Sequence, residues 1–201
     1  MLNVSAKSKI DPIPDGMYHG VCIGVIDLGT QYSPKFDTYA KKVLIMWEFP
    51  ELMIKYEKNG VELEAPRVKS KTYTQSIGKK SNLYKDLVSW RGRVFTQEEL
   101  GEFDVQKLMG VNCMIQIISE VSKKDGNTYA NVAAILPLYK GIPPVKPFDK
   151  TYYFSFSDNT EVPEDIPEWI KETIGKSQEM KELNKAEMDV PDMPDTDNVP
   201  F

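Results

Sequence analysis

The chain has one histidine, two cysteines and no apolar run longer than about five residues, such as Val43-Leu44-Ile45-Met46-Trp47. Each scarcity removes a class of function. A membrane-spanning helix needs roughly 18 consecutive apolar residues, so transmembrane roles drop out. One histidine, His19, leaves histidine-based triads, paired-histidine metal sites and histidine general bases with too little to work with. Cys22 and Cys113 sit in apolar, strand-like runs and read as buried core thiols with no redox or metal partner. No Walker pattern, no Gly-rich dinucleotide fingerprint and no cysteine pair at zinc spacing is present. The carboxylates Glu98, Glu99, Glu102 and Asp104 cluster, but on a helical, solvated face. The expectation is a non-enzyme without cofactor or metal. The opening MLNVSAKSKIDPIPDG has lysines but no apolar signal core, which points to the cytoplasm.

What is present is an uneven charge. The formal net charge of the 201 residues is -5, but from Asp158 onward 13 acidic residues face 4 lysines. The remainder is therefore basic. Such a split suits a polyanion-binding body with an interaction tail, or, more blandly, any domain with a solubilising end. The last fourteen residues, MDVPDMPDTDNVPF, hold four aspartates, three prolines and no cation, a composition that predicts disorder.

Strand signals dominate the first 75 residues. Gly16–Leu28 mixes β-branched residues with Gly20 and Gly24, as a curled strand with bulges would. A Gly/Ser/Pro-rich loop follows, then a second strand, Tyr39–Phe49, with Val43, Ile45, Trp47 and Phe49 facing inward. Residues 51–64 read as a hairpin excursion turning at Asn59-Gly60, and Arg67–Gln75 as a third strand. The period then becomes helical: Leu83, Leu87 and Trp90 recur, with Ser81 as N-cap and Gly92 as stop, and Thr96 with Glu99 forms a capping-box pattern. Two more strands, Asn112–Ser122 and Thr128–Leu138, join through Asp125-Gly126. A short aromatic strand at 151–156 and a helix at 165–175 close the pattern. The predicted fold class is mainly β: a five-stranded Greek-key OB-fold barrel with a helical insertion between strands 3 and 4. The expected division is a lead-in (1–15), the OB domain (16–156), a helical extension (157–187) and the acidic tail (188–201). An SH3-like barrel or an open α+β sheet would give a similar string.

Binding chemistry is better supplied than catalysis. In the third strand Arg67, Lys69, Lys71 and Tyr73 alternate, which predicts three cations and a ring on one exposed face: a phosphate track with a stacking platform. Lysines on an exposed strand also guard sheet edges against aggregation, a purely structural alternative. The first loop adds Tyr32, Lys35 and Phe36, the second strand Lys41, and the last hairpin Lys123 and Lys124. In Trp90-Arg91-Gly92-Arg93-Val94-Phe95 the rings read as core and the arginines as partners of carboxylates or phosphates.

The ending DMPDTDNVPF resembles the acidic tip of bacterial-type single-stranded DNA-binding proteins. GMYHGVCIGVIDLGTQ, LIMWEFPE and KTYTQSIGKKSNLYKDLVSWRGRVFTQEEL are similar to phage-encoded proteins of that kind. The resemblance implies a protein that coats single-stranded DNA without sequence preference during phage replication or recombination, in the host cytoplasm. It also implies a tip that recruits replication or recombination proteins. Pro200 and Phe201 with Val199 would be the apolar anchor, and Asp195, Asp197 and the terminal carboxylate the negative cluster for a basic pocket. The tip could also fold back and compete weakly with DNA. The hairpin excursion, the larger insertion and the elements after Gly141 depart from housekeeping members, so the subunit number, including homo-oligomers, stays open. The rivals are a protein-interaction or assembly factor with a β-barrel core and a solubilising tail, and an OB-fold nuclease or annealing partner that uses the carboxylates.

Overall fold

A computed structural model describes residues 11–188 apart from 59, 102 and 149. The acidic end, with Asp195, Asp197, Val199, Pro200 and Phe201, lies outside the described residues. Strands β1 (Gly16–Ser33), β2 (Thr38–Lys58) and β3 (Val61–Thr74) form an antiparallel meander. Helices α1 (Asn82–Arg91) and α2 (Gln97–Gly101) and a 3-10 turn (Val105–Leu108) follow. Next come β4 (Asn112–Val121), β5 (Thr128–Pro137), a short β6 (Tyr152–Phe154), α3 (Glu168–Ile174) and α4 (Gln178–Met188). The protein is thus mainly β, with one six-stranded sheet in the order β3-β2-β1-β4-β5 and β6 parallel to β1. That path is open: β3 and β5 are its two edges, where a closed five-stranded barrel was expected.

Local signals set most of the elements. The Ser81 side chain accepts from the Tyr84 amide and Gly92 takes a left-handed φ of 75°, so α1 is capped at both ends. Thr96 and Glu99 exchange backbone-to-side-chain bonds of 3.0 and 3.2 Å, a complete capping box. Strand β1 is longer than expected. It pairs with β4 up to Val21 and with β2 from Val21 to Ser33, and bends where pairing shifts at Cys22/Gly24 and Asp27/Gly29. Gly29 has φ +68°, and a Cβ there would lie 2.7 Å from Ser177, so no other residue fits without displacement. The segment 29–33, expected as loop, is therefore strand, and the excursion at 51–64 is the outer half of the β2–β3 hairpin.

The centre of the sheet is buried on both faces. Val43, Ile45, Trp47 and Phe49 join Leu83, Leu87, Trp90, Ile115 and Ile135 in one core. The intervening Leu44 and Met46 join Ile26, Phe154, Ile166, Ile170 and Ile174 in a second. Two-sided burial explains the unbroken run Val43–Trp47, which strict alternation would not produce. Cys22 and Cys113 are free and buried, and burial pushes the Cys22 thiol up to about 12. His19 is buried with Nε2 2.7 Å from Asn112 Oδ1, and the Asn112 side chain accepts from the Val145 amide and donates to its carbonyl. The chain's one histidine thus lies in a network that straps the segment after β5 onto the sheet.

Candidate nucleic-acid interface

Strand β3 presents its alternating set to the core side of the sheet, which reverses the sequence expectation. In the antiparallel register Arg67 faces Phe49, Lys69 faces Trp47, Lys71 faces Ile45 and Tyr73 faces Val43. Directly opposed residues share a face, so all four point to the first core. Tyr73 is 3% exposed and cannot stack on a base. Its hydroxyl donates to Asp86 Oδ2 at 2.7 Å, and burial together with the Asp86 charge holds the phenol well above its ordinary pKa. Lys71 Nζ donates to the same Asp86 oxygen at 2.7 Å and to the Val132 carbonyl at 3.3 Å. Lys71 therefore bridges the open seam between β3 and β5. The physical reason is that β3 is an edge strand, where the core face runs out and long cations lay their stems on apolar surface and lift their heads out.

Arg67 and Lys69 remain accessible at one end of this seam. With Ile13, Ile54, Tyr129 and Ala130 they line an open groove of about 510 Å³. Arg67 donates to the Asp11 carbonyl at 2.7 Å. Partial burial lowers the Lys69 pKa, the signature of a cation short of solvation. The turn carrying exposed Lys123 and Lys124 adjoins this groove through Tyr129, whose hydroxyl donates to Asp125 at 2.6 Å. A second groove, of about 580 Å³, lies at the other end of β3 and is lined by Lys42, Lys71, Thr72, Lys80, Ser81 and Asn82 among others. Lys42 and Lys80 carried no periodic signal in the sequence. The two grooves share β3 and lie end to end along it, and from Arg67 to Lys71 the strand rises about 13 Å.

Beyond the second groove projects the β1–β2 hairpin tip. Tyr32 (49% exposed) and Tyr39 (58%) face each other across the ladder with ring centroids 5.2 Å apart. Phe36 is 68% exposed, with Lys35 Nζ 5.3 Å from its ring centroid, and Lys41 is exposed two residues after Tyr39. The Tyr32 hydroxyl donates to Asp37 at 2.8 Å, which fixes the ring and raises its pKa. Of these rings the sequence singled out Tyr32 and Phe36 but not Tyr39, whose alternation with Lys41 was the available signal. Three rings so exposed on a hairpin offer π-faces to a flat ligand.

The arginine-rich turn is structural. Arg91 pairs with Glu99, Arg93 donates to the same carboxylate at 2.7 Å, and Arg91 lies over the buried Phe95 ring at 4.6 Å. These bonds hold Glu99 well below the usual carboxylate range, the Arg91 bond contributing most. Among the described residues no group of three or more His, Cys, Asp or Glu is placed to hold a metal ion, and no helix is long and apolar enough to cross a membrane. No protein-family model matches the chain, and no curated protein matches it.

Proposed function

We propose that this protein binds single-stranded DNA without sequence preference, laying it along the open edge of β3 from the Arg67–Lys69 groove to the rings of the β1–β2 tip. The observation that carries the reading is the alignment of two cation-lined grooves on one strand, ending in three exposed rings. Cations spaced along a groove suit a phosphate backbone, and sequence-tolerant rings suit stacked bases. On this reading the sheet is an OB-type barrel: the strand order, the helices between β3 and β4, and the approach of Lys71 to β5 all support it. The role is coating and protecting DNA in phage replication or recombination, with no bond made or broken. The tip residues Asp195, Asp197, Val199, Pro200 and Phe201 recruit partner proteins.

Titration of a fluorescently labelled oligo-dT with the full chain, followed by anisotropy, tests this. Binding should be evident at low salt and weaken steeply as salt rises, because each neutralised phosphate releases counterions. No binding at low salt rejects the proposal. The rival protein-interaction reading has one observation in its favour: the outer half of the β2–β3 hairpin exposes Met53, Tyr56, Val61 and Leu63. Failure of the DNA titration would turn attention there.

A further inference from the structure

The chain has three tryptophans, and they are not equivalent. Trp47 and Trp90 are buried in the first core, with ring centroids 5.8 Å apart. Trp169 is 51% exposed, although its neighbour Ile170 and, one turn on, Ile174 are fully buried on the outer face of the sheet. A tryptophan carries the largest π-face among side chains, and leaving half of it in water forgoes much of its burial energy.

Trp169 is one wall of a groove of about 380 Å³ between α3 and the outer face of β3. Val68, Ser70, Lys150, Tyr152 and Pro167 are among its other lining residues. Its volume lies within the range of roughly 300–1,000 Å³ that holds small planar ligands. The groove is continuous with the DNA path proposed above: Pro66 and Val68 line both this groove and the one containing Arg67 and Lys69, and they lie on the free edge of β3. Successive residues of a strand point to opposite faces. A polynucleotide that leaves Lys69 can therefore turn over this edge at Pro66–Val68 and reach the outer face within a few ångströms. Once there it meets an aromatic wall, a hydroxyl from Ser70 and an ammonium group. Lys150 is paired only loosely, its Nζ 4.0 Å from Asp165, with both side chains well exposed. The buried Glu48 in the groove floor accepts from the Phe148 amide at 2.6 Å.

We infer that this groove is a base-binding subsite, in which one nucleobase of the bound single strand stacks on Trp169 and its phosphate is met by Lys150. The inference rests on the proposed DNA-binding reading and extends it to a helix that lies outside the strands of the sheet. A base fits this groove better than an apolar peptide because the groove opens onto a phosphate track and is lined by a lysine as well as the ring. The strand then wraps the β3 edge and occupies both faces.

One titration of the full chain with labelled oligo-dT, reading anisotropy and intrinsic fluorescence on the same samples, tests it. With Trp47 and Trp90 buried, stacking on Trp169 should account for most of the quenching. In Trp169→Phe, which keeps a ring, most of the quenching should be lost while affinity stays close to that of the parent. In Trp169→Ala affinity should fall about 5- to 160-fold. Trp169 is half-exposed, so Trp169→Phe should melt like the parent and Trp169→Ala within a few degrees of it. If anisotropy reports binding but Trp169→Phe quenches as the parent does, or Trp169→Ala binds equally well, the subsite is overturned and the β3 reading stands. If the parent binds no oligonucleotide at all, both readings fall together.

Discussion

Two cation–ring pairs in this molecule have nearly the same geometry and opposite surroundings. Lys71 Nζ lies 5.4 Å from the centroid of Tyr73, and Lys35 Nζ lies 5.3 Å from that of Phe36. The first pair is held by Asp86, with the ring buried and the ammonium bridging β3 to β5. The second stands on a hairpin tip with its ring exposed. A lysine beside an aromatic ring is therefore no site in itself. What separates the two is the carboxylate that α1 supplies to the first and that no described residue supplies to the second.

The contrast predicts different failures. Tyr73→Ala should lower stability by about 3–5 kcal/mol, as loss of a buried ring does, which for a domain of this size lowers Tm by roughly 6–20 °C; a thermal melt by circular dichroism reads it. A melt within a degree or two of the parent would place Tyr73 outside the core. The tip should behave in the reverse way. Tyr32→Ala, Phe36→Ala and Tyr39→Ala together should leave the melt unchanged but weaken oligo-dT binding by about 2–6 kcal/mol, roughly 30- to 25,000-fold, if two of the three rings stack. Lys71 is unsuitable for such binding tests, because its removal strips Asp86 and the seam of a partner.

Smaller effects sharpen the comparison. Lys80→Ala should change affinity modestly but reduce the slope of log K against log salt by about 0.7, the increment for one phosphate contact on a single strand. An unchanged slope would remove Lys80 from the path. The smallest effect concerns the arginine pair. Glu99 has its folded pKa depressed by Arg91 and Arg93, so its contribution is present above the ordinary value of 4.5 and is lost as pH falls below it. Glu99→Gln should abolish that acid sensitivity of the α1–α2 corner. An identical pH profile of unfolding in parent and variant would contradict the pairing.

How much of this was legible in the sequence depended on range. Caps and turns are local, so Ser81, Gly92, Thr96 with Glu99, and Asp125-Gly126 announced themselves. Alternation correctly grouped Arg67, Lys69, Lys71 and Tyr73 on one face, but it carries no sign: which face is core depends on the partner strand, and the register with β2 decided it. The edge position of β3 lets lysines sit on a core-side face, a combination that periodicity treats as a contradiction. The second core was hidden for a related reason. Ile166, Ile170 and Ile174 give an ordinary helical stripe, and only the unbroken run Val43–Trp47 hinted that the sheet's other face needed a cover. Lys42, Lys80 and Trp169 were illegible because each reaches its groove through tertiary placement alone.

Hydrogen–deuterium exchange of the full chain with and without saturating oligo-dT is the most direct test of the central claim that single-stranded DNA lies along β3. DNA should slow exchange in the turn and flanking residues Tyr32–Lys42 and in the edge-strand and loop residues Val68–Asn82. Unchanged exchange in both segments, with the oligonucleotide demonstrably bound, would contradict it.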